Sequence, residues 1–294
     1  MISAFAGSAW AQDGEEGGEE GGEEASGDPC GGEAAAEGSA EGMADESTPV
    51  SEAADGATME GGAPPMILPT GKIGVHVTLG INLSTDAVAK PIAIAPDIWY
   101  GVMPKLEVGV VHSNYGLSGF WFQPGGGICV TGEENGCGKL YDGPVGLMAN
   151  FLVSESASMD LAVNGGIVIG SFDPLPLSLK VGVKGRYKSG KIAVHFNPAI
   201  AIGLTERDGN KEEIMVPVMV GYAVNEKLHA GLQTGIAGPL DGFGDAFFVP
   251  VGLGALYGLN DKMSVGGAFN FVNLAGKNGG ADFRTLDLMF MWHN

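Results

Sequence analysis

Residues 177–191 read LSLKVGVKGRYKSGK, and their alternation decides the fold. Leu177, Leu179, Val181 and Val183 fall on one side of an extended chain, and Ser178, Lys180, Gly182 and Lys184 on the other, because successive strand side chains point to opposite faces. The run ends at Tyr187, and the polar turn Lys188-Ser189-Gly190 follows. Working outward, the same device recurs. Tyr100, Phe151, Tyr187, Tyr222, Tyr257 and Trp292 all fall on the apolar face, and the last four are spaced 35 residues apart. Short polar turns come after the first five: Met103-Pro104-Lys105, Ser154-Glu155-Ser156, Lys188-Ser189-Gly190, Asn225-Glu226-Lys227 and Asn260-Asp261-Lys262. Between turns lie two alternating runs, so each repeat is a hairpin.

Twelve strands are expected, near 71–83, 88–101, 105–114, 141–153, 158–170, 176–187, 191–204, 212–223, 227–237, 246–258, 262–273 and 284–293. A 35-residue period also suits soluble helical repeats and approaches that of propeller blades. A soluble barrel would use the same alternation with its faces reversed. The polar face argues against that, since it carries mostly Gly, Ala, Ser and Asn and is too poor in charge to make a good aqueous surface. The pattern resembles the bacterial outer-membrane β-barrel proteins, porin-like and with about twelve strands, in which aromatic girdles mark the membrane boundary. The resemblance is one of architecture and brings no family-specific motif. It implies a closed antiparallel transmembrane barrel over 71–294, lipid outside, a polar lumen inside, and insertion by the barrel-assembly machinery. Short turns would be periplasmic, together with both chain ends, while longer loops such as those holding Glu133 and Asn278 would be extracellular.

Composition bounds the alternatives. No run of about 18 apolar residues occurs, which excludes a spanning helix. The 51 glycines exceed the usual share of about 7% and suit a tightly curved strand wall. Net charge is -20, but residues 12–65 hold 16 Asp or Glu and no Lys or Arg, leaving 19 acidic and 15 basic residues, or -4, for the rest. No nucleic-acid partner is implied. The acidic segment, with its Glu-Glu-Gly-Gly repeats at Glu15 to Glu24, lacks the apolar content to offset its ordering entropy and is expected to be a disordered periplasmic tail. Ala9-Trp10-Ala11 matches a signal-peptide cleavage site, so residues 1–11 are read as the remnant of an export signal.

Candidate chemistry is sparse. Cys129 and Cys137 close a small loop in the longest connection, Tyr115 to Leu140, and are expected to form a disulfide in an oxidising compartment; Cys30 is left over. That loop has no His or further Cys for zinc, and no metal or cofactor is expected. His112-Ser113 invites a lipid-cleaving reading, but adjacent strand residues face opposite ways, and no Gly-x-Ser-x-Gly elbow occurs. No enzyme is expected. Lys180, Lys184, Arg186 and Lys191 should face the lumen on the sixth and seventh strands, with Asp97, Glu107 and Asp160 on the second, third and fifth. These charges either line a pore and set ion selectivity or fill the wall, with Asp160 paired across strands to Arg186. The function expected is a narrow passive channel for small polar or ionic solutes, with a non-conducting structural or adhesive barrel as the first alternative and a lipid-modifying enzyme as the second.

Overall fold

A computed structural model of the chain describes residues 65–123, 127–135, 137 and 140–294. The expected signal remnant, the acidic segment up to residue 64 and Cys30 lie outside the described residues. Fifteen strands form one sheet: β1 (Ile73–Asn82), β2 (Ile92–Met103), β3 (Leu106–Val111), β4 (Gly127–Cys129), β5 (Tyr141–Asp142), β6 (Val145–Glu155), β7 (Met159–Ile169), β8 (Leu177–Ser189), β9 (Ile192–Phe196), β10 (Ala199–Gly203), β11 (Glu213–Ala223), β12 (Leu228–Pro239), β13 (Val251–Asn260), β14 (Met263–Phe271) and β15 (Arg284–His293). Two short helices, α1 (Asn114–Ser118) and α2 (Phe243–Ala246), sit in connections.

Every pairing is between antiparallel neighbours, and β1 pairs with both β2 and β15, which closes the sheet. β4 and β5 form a small hairpin in the β3–β6 connection. β9 and β10 are two halves of one wall strand, both paired to β8 and β11. Removing the hairpin and joining those halves leaves a twelve-stranded closed antiparallel barrel. The seventh strand, expected to run unbroken over 191–204, is interrupted at Asn197-Pro198. Proline has no N–H for the ladder, and Pro217 lies on the adjacent β11, so Asn197 instead donates its N–H to Pro217 O at 3.2 Å.

Turns and loops alternate as expected. The connections after β2, β6, β8, β11 and β13 are short, and those at the other rim are longer. Both ends of the barrel meet at the turn-side rim, where Ile73 N donates to Asn294 Oδ1 at 2.8 Å.

The faces also fall as expected. Along β8, Val181 and Tyr187 are exposed while Ser178, Lys180 and Arg186 are buried. Tyr100, Phe151, Tyr187, Tyr222 and Tyr257 are exposed on the outer surface, and Trp292 is partly so. The outer wall presents a continuous apolar band that includes Leu147, Leu232, Leu253 and Phe290. Exposing so much contiguous apolar surface to water would be strongly unfavourable, and lipid is the solvent that suits it.

The long connection, expected outside the barrel, and the lumen, expected to be polar, both need correcting. Residues 113–123 instead turn inward, and Leu117, Phe120 and Phe122 join Trp99, Val111, Met148, Val168 and Met215 in an apolar core inside the loop-side half of the barrel. The physical reason is that a loop carrying Phe120-Trp121-Phe122 in succession loses less by burial than by exposure, at about 25 cal/mol per Å² of apolar surface.

Candidate functional site

The lumen is the site, and among the described residues two pieces of chain enter it. The larger is a crosspiece made of residues 113–123. Its entry is fixed by Asp97 on β2, whose Oδ1 accepts from His112 N at 2.7 Å and Ser113 N at 2.8 Å. Ser113 Oγ donates to Asp97 Oδ2 and accepts from Gly116 N, capping α1 at its start. Gly119 ends the helix in the left-handed region at φ 87°. A Cβ there would also meet Pro217 at 2.8 Å, so conformation and space both require glycine.

The crosspiece is then tied to walls on several sides. Lys180 Nζ on β8 donates to Leu117 O. Gln233 on β12 donates its Nε2–H to Gly119 O at 2.9 Å and accepts from Trp121 N at 2.6 Å. Trp121 lies against the glycines of β12 and β13, where a Cβ on Gly231 or Gly254 would come within 3.0 Å of the indole. At the exit, Gln123 N donates to Asp287 Oδ1 on β15 at 3.0 Å, and that carboxylate also accepts from Asn270 Nδ2 and Thr285 Oγ1. The crosspiece therefore spans the lumen from β2 to β8, β12 and β15.

The smaller piece lies at the opposite rim. Met66 and Ile67 are buried against Leu152 and Ala162 on the inner wall. Leu68 N donates to Glu107 Oε2 at 2.8 Å, and the other oxygen of that carboxylate accepts from Asn150 Nδ2 at 2.7 Å. The chain then turns at Pro69, Gly71 N donates to Gly101 O, and β1 begins. Pro69 O approaches Gly101 so closely that an added Cβ would lie 2.0 Å from it.

The seven charged residues assigned to the lumen from sequence separate into distinct roles. Asp97, Glu107 and Lys180 fasten the inserted segments. Asp160 and Arg186 are cross-strand partners in register and form the expected ion pair, Nε to Oδ2 at 2.8 Å. Lys188, which the sequence reading passed over, completes the group by donating to Asp160 Oδ1 at 2.8 Å. Lys191 does not line the wall, because it falls in the β8–β9 turn, where it is exposed. Lys184 is half-buried on the inner wall and is free of hydrogen-bond and ion-pair partners among the described residues. Its charge is felt at His76 on β1, His195 on β9 and Lys180. Asp287 and Gln233 were also missed, since each reads locally as an ordinary polar wall residue and only the inserted loop gives it a role.

His112 and Ser113 form no nucleophile–base pair. The serine hydroxyl serves Asp97 and the helix cap, and His112 Nδ1 contacts Pro96 O. Cys129 and Cys137 are bonded to each other, with Cα atoms 5.8 Å apart. Among the described residues, no group of His, Cys, Asp and Glu could hold a metal ion.

No protein-family model and no curated protein sequence matches the chain. Solved structures do match. The NanC porin aligns over 74% of this chain and 97% of its own, at 8% identity and a TM-score of 0.50. The KdgM porin, solved with disordered oligogalacturonate, aligns over 75% and 98% at 6% identity and a TM-score of 0.48. Outer membrane phospholipase A from Escherichia coli aligns over 77% and 94% at 11% identity and a TM-score of 0.40. At such identities the likeness speaks to fold alone. With the closed strand order and the apolar outer band, it places this chain among proteins with the fold of the bacterial outer-membrane porins, a twelve-stranded antiparallel barrel.

Proposed function

We propose that this barrel is a narrow passive channel for small polar or ionic solutes in a bacterial outer membrane, with its short turns and both chain ends in the periplasm. The observation that carries the reading is Lys184. The other inward charges assigned from the sequence are engaged in holding the wall or the inserted segments, whereas Lys184, on the inner surface, has no hydrogen-bond or ion-pair partner among the described residues and has His76 and His195 within its electrostatic reach. A barrel serving only as scaffold gains nothing from an unpaired charge, which costs desolvation without a compensating partner. In a narrow lumen such a charge attracts anions and repels cations. The crosspiece restricts the path, so openings should be small in conductance.

Lipid cleavage is not proposed, because Ser113 and His112 are engaged with other groups. Planar-bilayer recording tests the reading. Small, anion-preferring openings are expected, and Lys184→Gln should move the reversal potential toward cations. A pure, folded barrel silent at every voltage would instead support the non-conducting structural barrel.

A further inference from the structure

Residues 66–68 enter the lumen from the turn-side rim. Met66 and Ile67 are buried to 9% and 6% exposure against Leu152 and Ala162 of the inner wall. The Leu68 N–H is held by a buried carboxylate, Glu107. Leu68 also packs against the apolar core that contains Trp99 and the crosspiece residues Leu117, Phe120 and Phe122. Two features of the wall accommodate this segment. Gly101 leaves room for Pro69 O, and Gly74 leaves room for the Leu68 side chain, which a Cβ would meet at 3.1 Å.

We infer that Met66-Ile67-Leu68 is a releasable plug of the turn-side mouth, formed by the chain's own N-terminal extension. The inference rests on the channel reading for its consequence, though the seat itself does not. Among the described residues the plug is anchored by one hydrogen bond, from Leu68 N–H to the Glu107 carboxylate, and three apolar side chains, so it can leave while the strand ladder stays intact. Because Leu68 packs against the core that the crosspiece residues share, release of the plug also removes packing from that core.

The test uses the full chain with Cys30→Ser and two readouts. The thiol introduced by Ile67→Cys should react with a water-soluble maleimide at least about tenfold more slowly in the folded barrel than after unfolding, a factor worth about 1.4 kcal/mol of protection. Adding Met66→Asp, which places a charge in the apolar seat, should abolish that protection. In bilayers, Met66→Asp with Ile67→Asp should raise unitary conductance severalfold over the unaltered chain. Fast labelling in the folded barrel would overturn the plug whatever the conductance. A protected thiol with conductance unaffected by the double substitution would overturn its gating role. If neither protein ever conducts while the thiol is protected, the channel reading fails and the seat stands.

Discussion

Asp160 is fully buried and holds two cations, Arg186 on the facing strand and Lys188 two residues further along it. Removing charge from one member of such a group leaves the others uncompensated, which is more costly than never having had the group. Asp160→Asn should therefore lower stability by about 3 kcal/mol, read as an earlier midpoint of urea unfolding from detergent. Asp160→Asn combined with Arg186→Gln should recover part of the loss. Recovery would show that the group holds the wall together and is a poor candidate for selectivity, which leaves Lys184 for that role. Outside the membrane span, Lys211 donates to Asp241 at 2.8 Å and links two loops. That hydrogen bond holds the Asp241 carboxyl below its ordinary range, so the pair persists at neutral pH and is lost as pH falls through the lowered value. Both groups are exposed and screened, and Lys211→Met is expected to leave the unfolding midpoint unchanged.

At the level of elements, the crosspiece is held by complementary surfaces as much as by hydrogen bonds. Trp121 fits over a glycine-lined patch of β12 and β13, and a side chain at Gly254 would press on the indole. Gly254→Val should displace Trp121 and shift its emission to the red, measured as the difference from a Trp121→Phe control. An unshifted spectrum would mean that the indole is already in water. Beyond the crosspiece, the disulfide of Cys129 with Cys137 closes a loop within the connection that joins β4 to β5. Replacing both cysteines by alanine should weaken that loop by about 2 kcal/mol, at the low end expected for a short closed loop. Faster native-state proteolysis within 127–140 is the measurement, and the barrel itself should stay resistant.

For the whole molecule, closure through β1 and β15 makes the barrel self-contained from Gly71 onward, because every wall strand then has two neighbours. A chain beginning near Pro64, exported with a full signal, should fold and show heat-modifiable migration in gels. Loss of that behaviour would give the acidic segment a part in assembly. Beginning instead at Pro69 should still give a folded barrel, now without Met66-Ile67-Leu68 and with a larger conductance.

The strand number, the positions of the turns, the outward aromatics and the Asp160–Arg186 pair were all legible in the sequence. Each follows from a period of two read along the chain, plus one rule for register between neighbouring hairpin strands. The break of the seventh strand was signalled by Pro198 but needed Pro217 on β11 beside it to show why pairing fails there. The contents of the lumen were not legible in the same way. Phe120-Trp121-Phe122 and Met66-Ile67-Leu68 are apolar runs outside any strand, which marks them for burial without saying where. Their seats are built from residues far apart in sequence, such as Trp121 with Gly231 and Gly254, or Leu68 with Glu107. Alternation fixes which face a side chain is on, because it is a local property of the backbone. Which piece of chain fills the enclosed space depends on shape and hydrogen-bond partners that exist only once the barrel has closed.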